Sequence, residues 1–260
     1  MRYLPFDWYE TPKYYDIVFD TDTEREASFL DEVYADHASP PRRRRRRVLE
    51  PACGSGRLLA EMKDRGWRIE GFDISEGMIA AARRRCPRAR LSIQSMEEFR
   101  VPEGVDLAFN LVSSFKHVLT ERGARSHLSC IARALRPGGL YVLGIHESEY
   151  AWEGRKRERW VAERDGVHVI CNIQVWPPNR RTRLEKVRSR LVVTENGERH
   201  AYESGWDFRT YDATQIRRLL RSAKQLEHVG TYGFEHRLDA PHELGGDRLD
   251  HVLILRRRKP

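Results

Sequence analysis

Long apolar runs are missing from this 260-residue chain, and with them any helix of the roughly 20 apolar residues needed to span a bilayer. The longest, around Leu140 to Ile145, suits a buried strand. The opening residues Met1 to Trp8 lack the apolar core of a secretory leader, which points to a cytoplasmic protein with no membrane partner. Cysteine is scarce. Cys53, Cys86, Cys130 and Cys171 stand far apart without a CxxC pair, so no disulfide framework, zinc site or other metal is expected. Lysine is scarce as well: only seven of the 47 cations are lysines, and arginine supplies the rest of a net charge of +8. That balance permits an acidic partner such as nucleic acid without requiring one. What the chain does have is 40% hydrophobic and 10% aromatic residues beside a mean hydropathy of -0.70. This is enough for one sizeable core and argues against disorder.

An aromatic-rich start (Trp8, Tyr9, Tyr14, Tyr15, Phe19) precedes a helical pattern from Thr23, with Phe29, Leu30, Val33, Tyr34 and His37 on one face. Ser39-Pro40-Pro41 ends it, and the arginine run Arg42 to Arg47 follows, read first as a solvated loop and second as a nucleic-acid contact. Strand and helix signals then alternate. Strands are predicted at Val48 to Glu50, Arg68 to Asp73, Leu91 to Ile93, Val105 to Leu111 and Leu140 to Ile145, with amphipathic helices between them. Such repeats imply right-handed crossovers and a parallel sheet. After Glu147 the rhythm changes to four strands joined by short turns at Asp165-Gly166, Pro177-Pro178-Asn179 and Glu195-Asn196-Gly197, an antiparallel meander. A capping-box-like Asp212-Ala213-Thr214-Gln215 opens the last helix, and two strands close the chain. The expected organisation is a helical cap segment over 1–41, a core over 42–147, a β insertion over 148–211, and the core's last helix and strands over 212–260.

Chemistry concentrates in Glu50-Pro51-Ala52-Cys53-Gly54-Ser55-Gly56-Arg57 and Gly71-Phe72-Asp73-Ile74-Ser75. A glycine turn at the carboxyl end of the first strand lets a ligand approach the backbone, and an acid ending the second strand can accept hydrogen bonds from a ribose diol. A dinucleotide fold would place a pyrophosphate at this turn. Glu50 would repel one, and it suits a ligand with an ammonium group instead.

This segment resembles motif I of class I S-adenosylmethionine (SAM)-dependent methyltransferases of the small-molecule type. The likeness continues through Glu76-Gly77-Met78-Ile79, Gln94-Ser95-Met96-Glu97, Asp106 to Leu111 and Arg136-Pro137-Gly138-Gly139-Leu140. It implies a Rossmann-like, doubly wound α/β fold with a mostly parallel seven-stranded sheet and the antiparallel insertion before the last helix. It also implies S-adenosylmethionine as cofactor and S-adenosylhomocysteine as product. Glu50 would meet the methionine ammonium, and Ala52, Gly54, Ser55, Gly56 and Arg57 would form the turn along it. Asp73 would hold the ribose, with Ile74 and Met78 flanking adenine and Ser95 and Met96 at its edge. Asn110, Leu111 and Phe115 would line the methionine side, and Tyr14 and Tyr15 would close over the cofactor. Ala52 stands where glycine is commoner.

Candidate groups for the acceptor follow from position at the strand ends. His146 and His117 are the candidate bases. Glu147, Glu149 and Arg209 are candidate ion partners, and Trp152, Trp160, Trp176, Trp206 and Tyr211 candidate walls. The reading carried forward is in-line methyl transfer to a nitrogen or oxygen of a small molecule. An RNA or protein methyltransferase using the basic surface and a non-catalytic SAM-binding module are the alternatives. The oligomeric state is left open, a homodimer included.

Overall fold

A computed structural model describes residues 2–38 and 45–259. Arg42 to Arg44 of the arginine run therefore lie outside the described residues. The chain opens with a two-residue strand β1 (Leu4–Pro5) and helices α1 (Pro12–Phe19) and α2 (Thr23–His37). Strand–helix alternation then runs β2 (Arg47–Pro51), α3 (Arg57–Asp64), β3 (Arg68–Asp73), α4 (Glu76–Arg85), β4 (Arg90–Ile93), β5 (Val105–Asn110), α5 (Glu121–Ala134) and β6 (Leu135–His146). Four long strands follow, β7 (Lys156–Arg164), β8 (Val167–Val175), β9 (Leu184–Glu195) and β10 (Glu198–Arg209). Helix α6 (Ala213–Ser222) and strands β11 (Leu226–Tyr232) and β12 (Asp250–Arg257) complete the chain.

Seven strands form one sheet in the order β11-β12-β6-β5-β2-β3-β4, parallel except for β12, which runs antiparallel to both neighbours. Period-two alternation explains how both faces are covered. Val48, Leu107, Phe109, Val142, Val252 and Ile254 face α2, α3 and α4, where Leu30, Leu59 and Ile79 meet them. Their neighbours Leu49, Ala108, Tyr141, Leu143, Leu253 and Leu255 face α5 and α6, where Leu128, Ile131 and Leu219 lie. The sheet is the mostly parallel, Rossmann-like one expected. The meander β7 to β10 is also as the sequence signals it, with the register set by antiparallel pairing throughout. It carries a fifth strand that the sequence did not announce: β1 adds in parallel to β10.

Helix ends follow local chemistry. Ser75 and Thr120 accept from the Met78 and Gly123 amides at the starts of α4 and α5, and Asp212 with Gln215 forms a full capping box on α6. Close packing of α3 on the sheet depends on Gly71. A Cβ there would lie 2.6 Å from Leu59 Cδ1 and 3.1 Å from Cys53 Cβ. Gly71→Val is expected to cost about 1–3 kcal/mol by overpacking this contact, read as a fall of several degrees in thermal midpoint.

The described end of the arginine run is structural. Arg47 is buried and pairs with Glu70 at 3.0 Å and with Glu103, and its amide donates to Asp106 Oδ2 at 2.8 Å. Arg46 stacks on Trp67, 4.5 Å from the ring centroid. Both stand at the amino-terminal edge of the sheet.

Candidate active site

Every βα turn opens at the opposite, carboxyl edge, where this class of sheet places ligands. After β2 the chain turns through Ala52 (φ 52°), Gly54 (φ 53°) and Gly56 (φ 77°), all left-handed. The Ala52 angle explains why glycine suits that position better, since a Cβ there costs of order 1 kcal/mol. Asp73, at the end of β3, is buried and accepts the amides of Gly54 and Ser75, both at 2.9 Å. Its carboxyl is nevertheless held above the usual range, because burial outweighs those hydrogen bonds.

Two cavities lie at this edge. The smaller, about 60 Å³, is bounded by Glu50, Ala52, Gly54, Arg57, Asn110 and Leu111, with Ser55 and Tyr15 also on its wall. Glu50 is half-buried, and its Oε2 is closed off from solvent with no hydrogen-bond partner. Burial pushes its carboxyl well above the ordinary range. The nearby Arg57 is committed elsewhere, to Glu26 at 2.6 Å and to Thr23 at 2.7 Å. Asn110 donates to the Pro51 carbonyl at 2.8 Å, which leaves its Oδ1 buried and unpartnered as well. Two orphan acceptors on one small cavity fit a multivalent cationic donor, and an ammonium group has that chemistry.

The larger cavity, about 620 Å³, continues from Gly54, Asp73, Ile74, Met78, Ser95 and Met96 towards the β insertion. Ile74 is 74% exposed, so this end opens to solvent. The far end is walled by Trp152, Trp160, Trp206 and Phe208, and carries the carboxylates Glu149, Glu158 and Glu185. Its roof is the N-terminal segment. Trp8, Tyr9, Tyr15 and Phe19 line it, and burial lifts the Tyr15 hydroxyl to about 12. Ion pairs fasten α1 on both sides: Asp16 takes Arg85 at 2.9 Å and the Ser55 hydroxyl at 2.5 Å, while Lys13 reaches Glu195 on β9 at 2.5 Å.

Both candidate histidines reach the cavity wall, in different states. His117, in a single 3-10 turn (Ser114–His117), has Nε2 2.8 Å from the Tyr9 hydroxyl. Burial, helped by Lys116, lowers it to about 4, so it stays neutral. His146, at the end of β6, has Nδ1 2.7 Å from Asp250 Oδ1.

Other sequence candidates are set apart from the cavity. Arg209 is buried against Glu121 at 3.2 Å and the Leu119 carbonyl at 2.9 Å. Tyr211 is enclosed beside Phe115, whose ring it stacks on at 5.9 Å, so both are core residues of the α5–α6 face. Glu147 turns behind the sheet edge to His251 at 3.0 Å and the Ala213 amide at 2.9 Å. Tyr14 packs outside on Tyr202, Gly56 caps α3, and Trp176 lies under Arg155 and Arg188. Lys116, Trp8, Tyr9, Phe19 and Phe208 join the wall without having been singled out for it. Phe208 was findable, being two residues from Trp206 on one strand face.

Residues 48–139 match the family model described as a methyltransferase domain. The chain is 30% identical over 137 residues to the Streptomyces fradiae dTDP-3-amino-3,6-dideoxy-alpha-D-glucopyranose N,N-dimethyltransferase, covering 52% of this chain and 52% of that one. It spans about half the length of the curated relatives it matches. Among solved structures, Streptomyces venezuelae DesVI aligns with TM-score 0.79 at 18% identity, over 98% of this chain and 100% of the other. The sugar N-methyltransferase KedS8 from Streptoalloteichus sp ATCC 53650 aligns with TM-score 0.74 at 18% identity, over 100% of this chain and 96% of the other. At these identities the structural likeness establishes the fold.

Proposed function

With a methyltransferase domain at residues 48–139 of a Rossmann-like fold as the premise, we propose that the protein transfers a methyl group from S-adenosylmethionine to an amine nitrogen of a small molecule. The observation that carries this reading is the pair of orphan acceptors, Glu50 Oε2 and Asn110 Oδ1, on the small cavity beside the glycine turn. They would take the methionine ammonium. Asp73 would accept the ribose hydroxyls, and Ile74, Met78, Ser95 and Met96 would flank adenine.

Bound there, the cofactor supplies an electrophilic methyl on a sulfonium, so the protein's task is alignment and exclusion of water. Trp8, Tyr9 and Phe19 roof the cavity against solvent. Aromatic faces at Trp160 and Trp206, with Glu158, favour a cationic acceptor over a neutral alcohol. Names of relatives support the same class, several being N,N-dimethyltransferases of dTDP-linked amino sugars. Arg46 and Arg47, at the described end of the arginine run, stand at the opposite edge of the sheet from this cavity.

Calorimetry with S-adenosylmethionine and S-adenosylhomocysteine tests the cofactor half, and absence of heat with either would sink it. Asp73→Asn is expected to weaken binding by about 1.5–3 kcal/mol, tenfold or more, by removing hydrogen bonds to a charged acceptor. Mass spectrometry after incubation with SAM and dTDP-3-amino-3,6-dideoxyglucose tests the acceptor half. A product heavier by one or two methyl groups supports it. Heat without methylated product there or across a broad amine screen would point to the non-catalytic alternative.

A further inference from the structure

His146 and Asp250 are cross-strand partners where β6 and β12 leave the sheet, 104 residues apart in sequence but opposite one another in register. The Nδ1–Oδ1 distance is 2.7 Å, with the two side chains 39% and 51% exposed. An ionised carboxylate has no proton to give, so Nδ1 carries the hydrogen and Nε2 is left with its lone pair. The His146 amide is held as well, donating to Ser113 Oγ at 3.0 Å on the turn after β5. Both His146 and Ser113 line the large cavity.

Several other charges on this cavity wall are matched, while Glu158 has no ion-pair partner among the described residues. Lys116 pairs with Glu185 at 2.7 Å and Lys156 with Glu149 at 3.5 Å. Behind the strands, His251 bridges Glu147 at 3.0 Å and His242 at 2.9 Å. Asp250 is left to His146, and the histidine's nearness holds that carboxyl below its usual range. Of the two cavity histidines, His117 is buried with Nε2 occupied by Tyr9, while His146 stands at a wet rim from which a proton can leave.

We propose that His146 takes the proton from the acceptor's ammonium through Nε2, and that Asp250 is the positioning residue that fixes the tautomer able to do so. This rests on the methyl-transfer reading above. An alkyl amine is largely protonated at neutral pH and has no lone pair to offer. In the step, the ammonium N–H bond breaks and its electron pair stays on nitrogen. The proton passes to Nε2 and from there to solvent, leaving the amine as the nucleophile that methyl transfer needs.

Nitrogen-15 spectra of the histidine rings, recorded with S-adenosylhomocysteine bound and assigned with His146→Gln, read the tautomer directly. The neutral His146 ring is expected as the Nδ1–H form. Asp250→Ala is expected to shift it to the Nε2–H form that predominates in free imidazole side chains, and Asp250→Glu to restore it. A wild-type ring already in the Nε2–H form overturns the proposal. Calorimetry on Asp250→Ala is expected to show S-adenosylmethionine affinity within twofold of wild type, so absence of wild-type binding condemns the cofactor reading instead. With dTDP-3-amino-3,6-dideoxyglucose as acceptor, Asp250→Ala is expected to lose on the order of 10–100-fold in single-turnover rate at pH 7. Most of that should return above pH 9, where the amine sheds its proton unaided. An equal loss at every pH marks a structural role and overturns the proposal, as does no loss at pH 7. If wild type does not turn over this sugar, the acceptor assignment falls and the ring tautomer alone decides on the dyad.

Discussion

Glu50→Gln is expected to strengthen the unliganded fold while weakening S-adenosylmethionine binding by on the order of a hundredfold or more. The opposite signs come from one cause. Glu50 Oε2 is buried and unpartnered, and burial, helped by Glu26 and Asp73 and opposed by Arg57, raises its carboxyl well above the ordinary range. A raised carboxyl contributes stability that is present below the unfolded-state value near 4.3 and is lost as pH climbs through the folded value. At neutral pH the free protein therefore carries the cost of an unmatched acid. Gln removes the charge at nearly the same shape, and a gain of about 1–2 kcal/mol in denaturant unfolding is expected. With the methionine ammonium seated there as proposed, the acid would become half of a buried pair, and breaking such a pair costs about 3–5 kcal/mol. Cofactor affinity of the wild type should likewise rise with pH through the Glu50 titration, and in Glu50→Gln that dependence should vanish. A variant that loses stability and keeps its affinity would show that Glu50 is merely a packed side chain.

Lys116→Met is expected to cost about 3–5 kcal/mol, read as a lower urea midpoint with unchanged slope. Lys116 and Glu185 meet at 2.7 Å with side chains only 3% and 9% exposed, so removing one strands the other in low dielectric. Replacing both, as Lys116→Met with Glu185→Leu, should recover most of the loss, because apolar residues of similar volume often match a buried ion pair. This pair joins the turn after β5 to β9, and so fastens the insertion to the core beside the cavity. A double variant as unstable as the single would locate the cost in packing and not in the stranded charge.

Much of this was legible from residue order. Strand–helix alternation with glycine turns identified the sheet, because a parallel sheet needs crossovers and buried strands leave continuous apolar runs. Glu50 and Asp73 were legible because acids seldom end strands buried on both faces. The misplacements have a common origin in facing. Trp206 and Phe208 point one way along β10, so Arg209 and Tyr211, an odd number of residues from Trp206, follow the other side into the α5–α6 core. Period two could have separated them. Helix α1 and strand β1 were not legible, being short and governed by tertiary contacts instead of local pattern. Asp250 was invisible for a related reason: its partner lies 104 residues away, and only the β6–β12 register brings them together.

The first segment of the chain touches everything that matters to exchange. It adds a strand to β10, grips Arg85 through Asp16 and Glu195 through Lys13, and holds Tyr15 and Phe19 against the small cavity. A spent cofactor seated behind it would be held in part by this strap, so its dwell time is expected to reflect the latch as well as the pocket. Several of those latches are partly solvated ions, which dissolved salt screens. The tempo of successive reactions would then be tuned by the ionic medium, with the chemistry at the amine untouched.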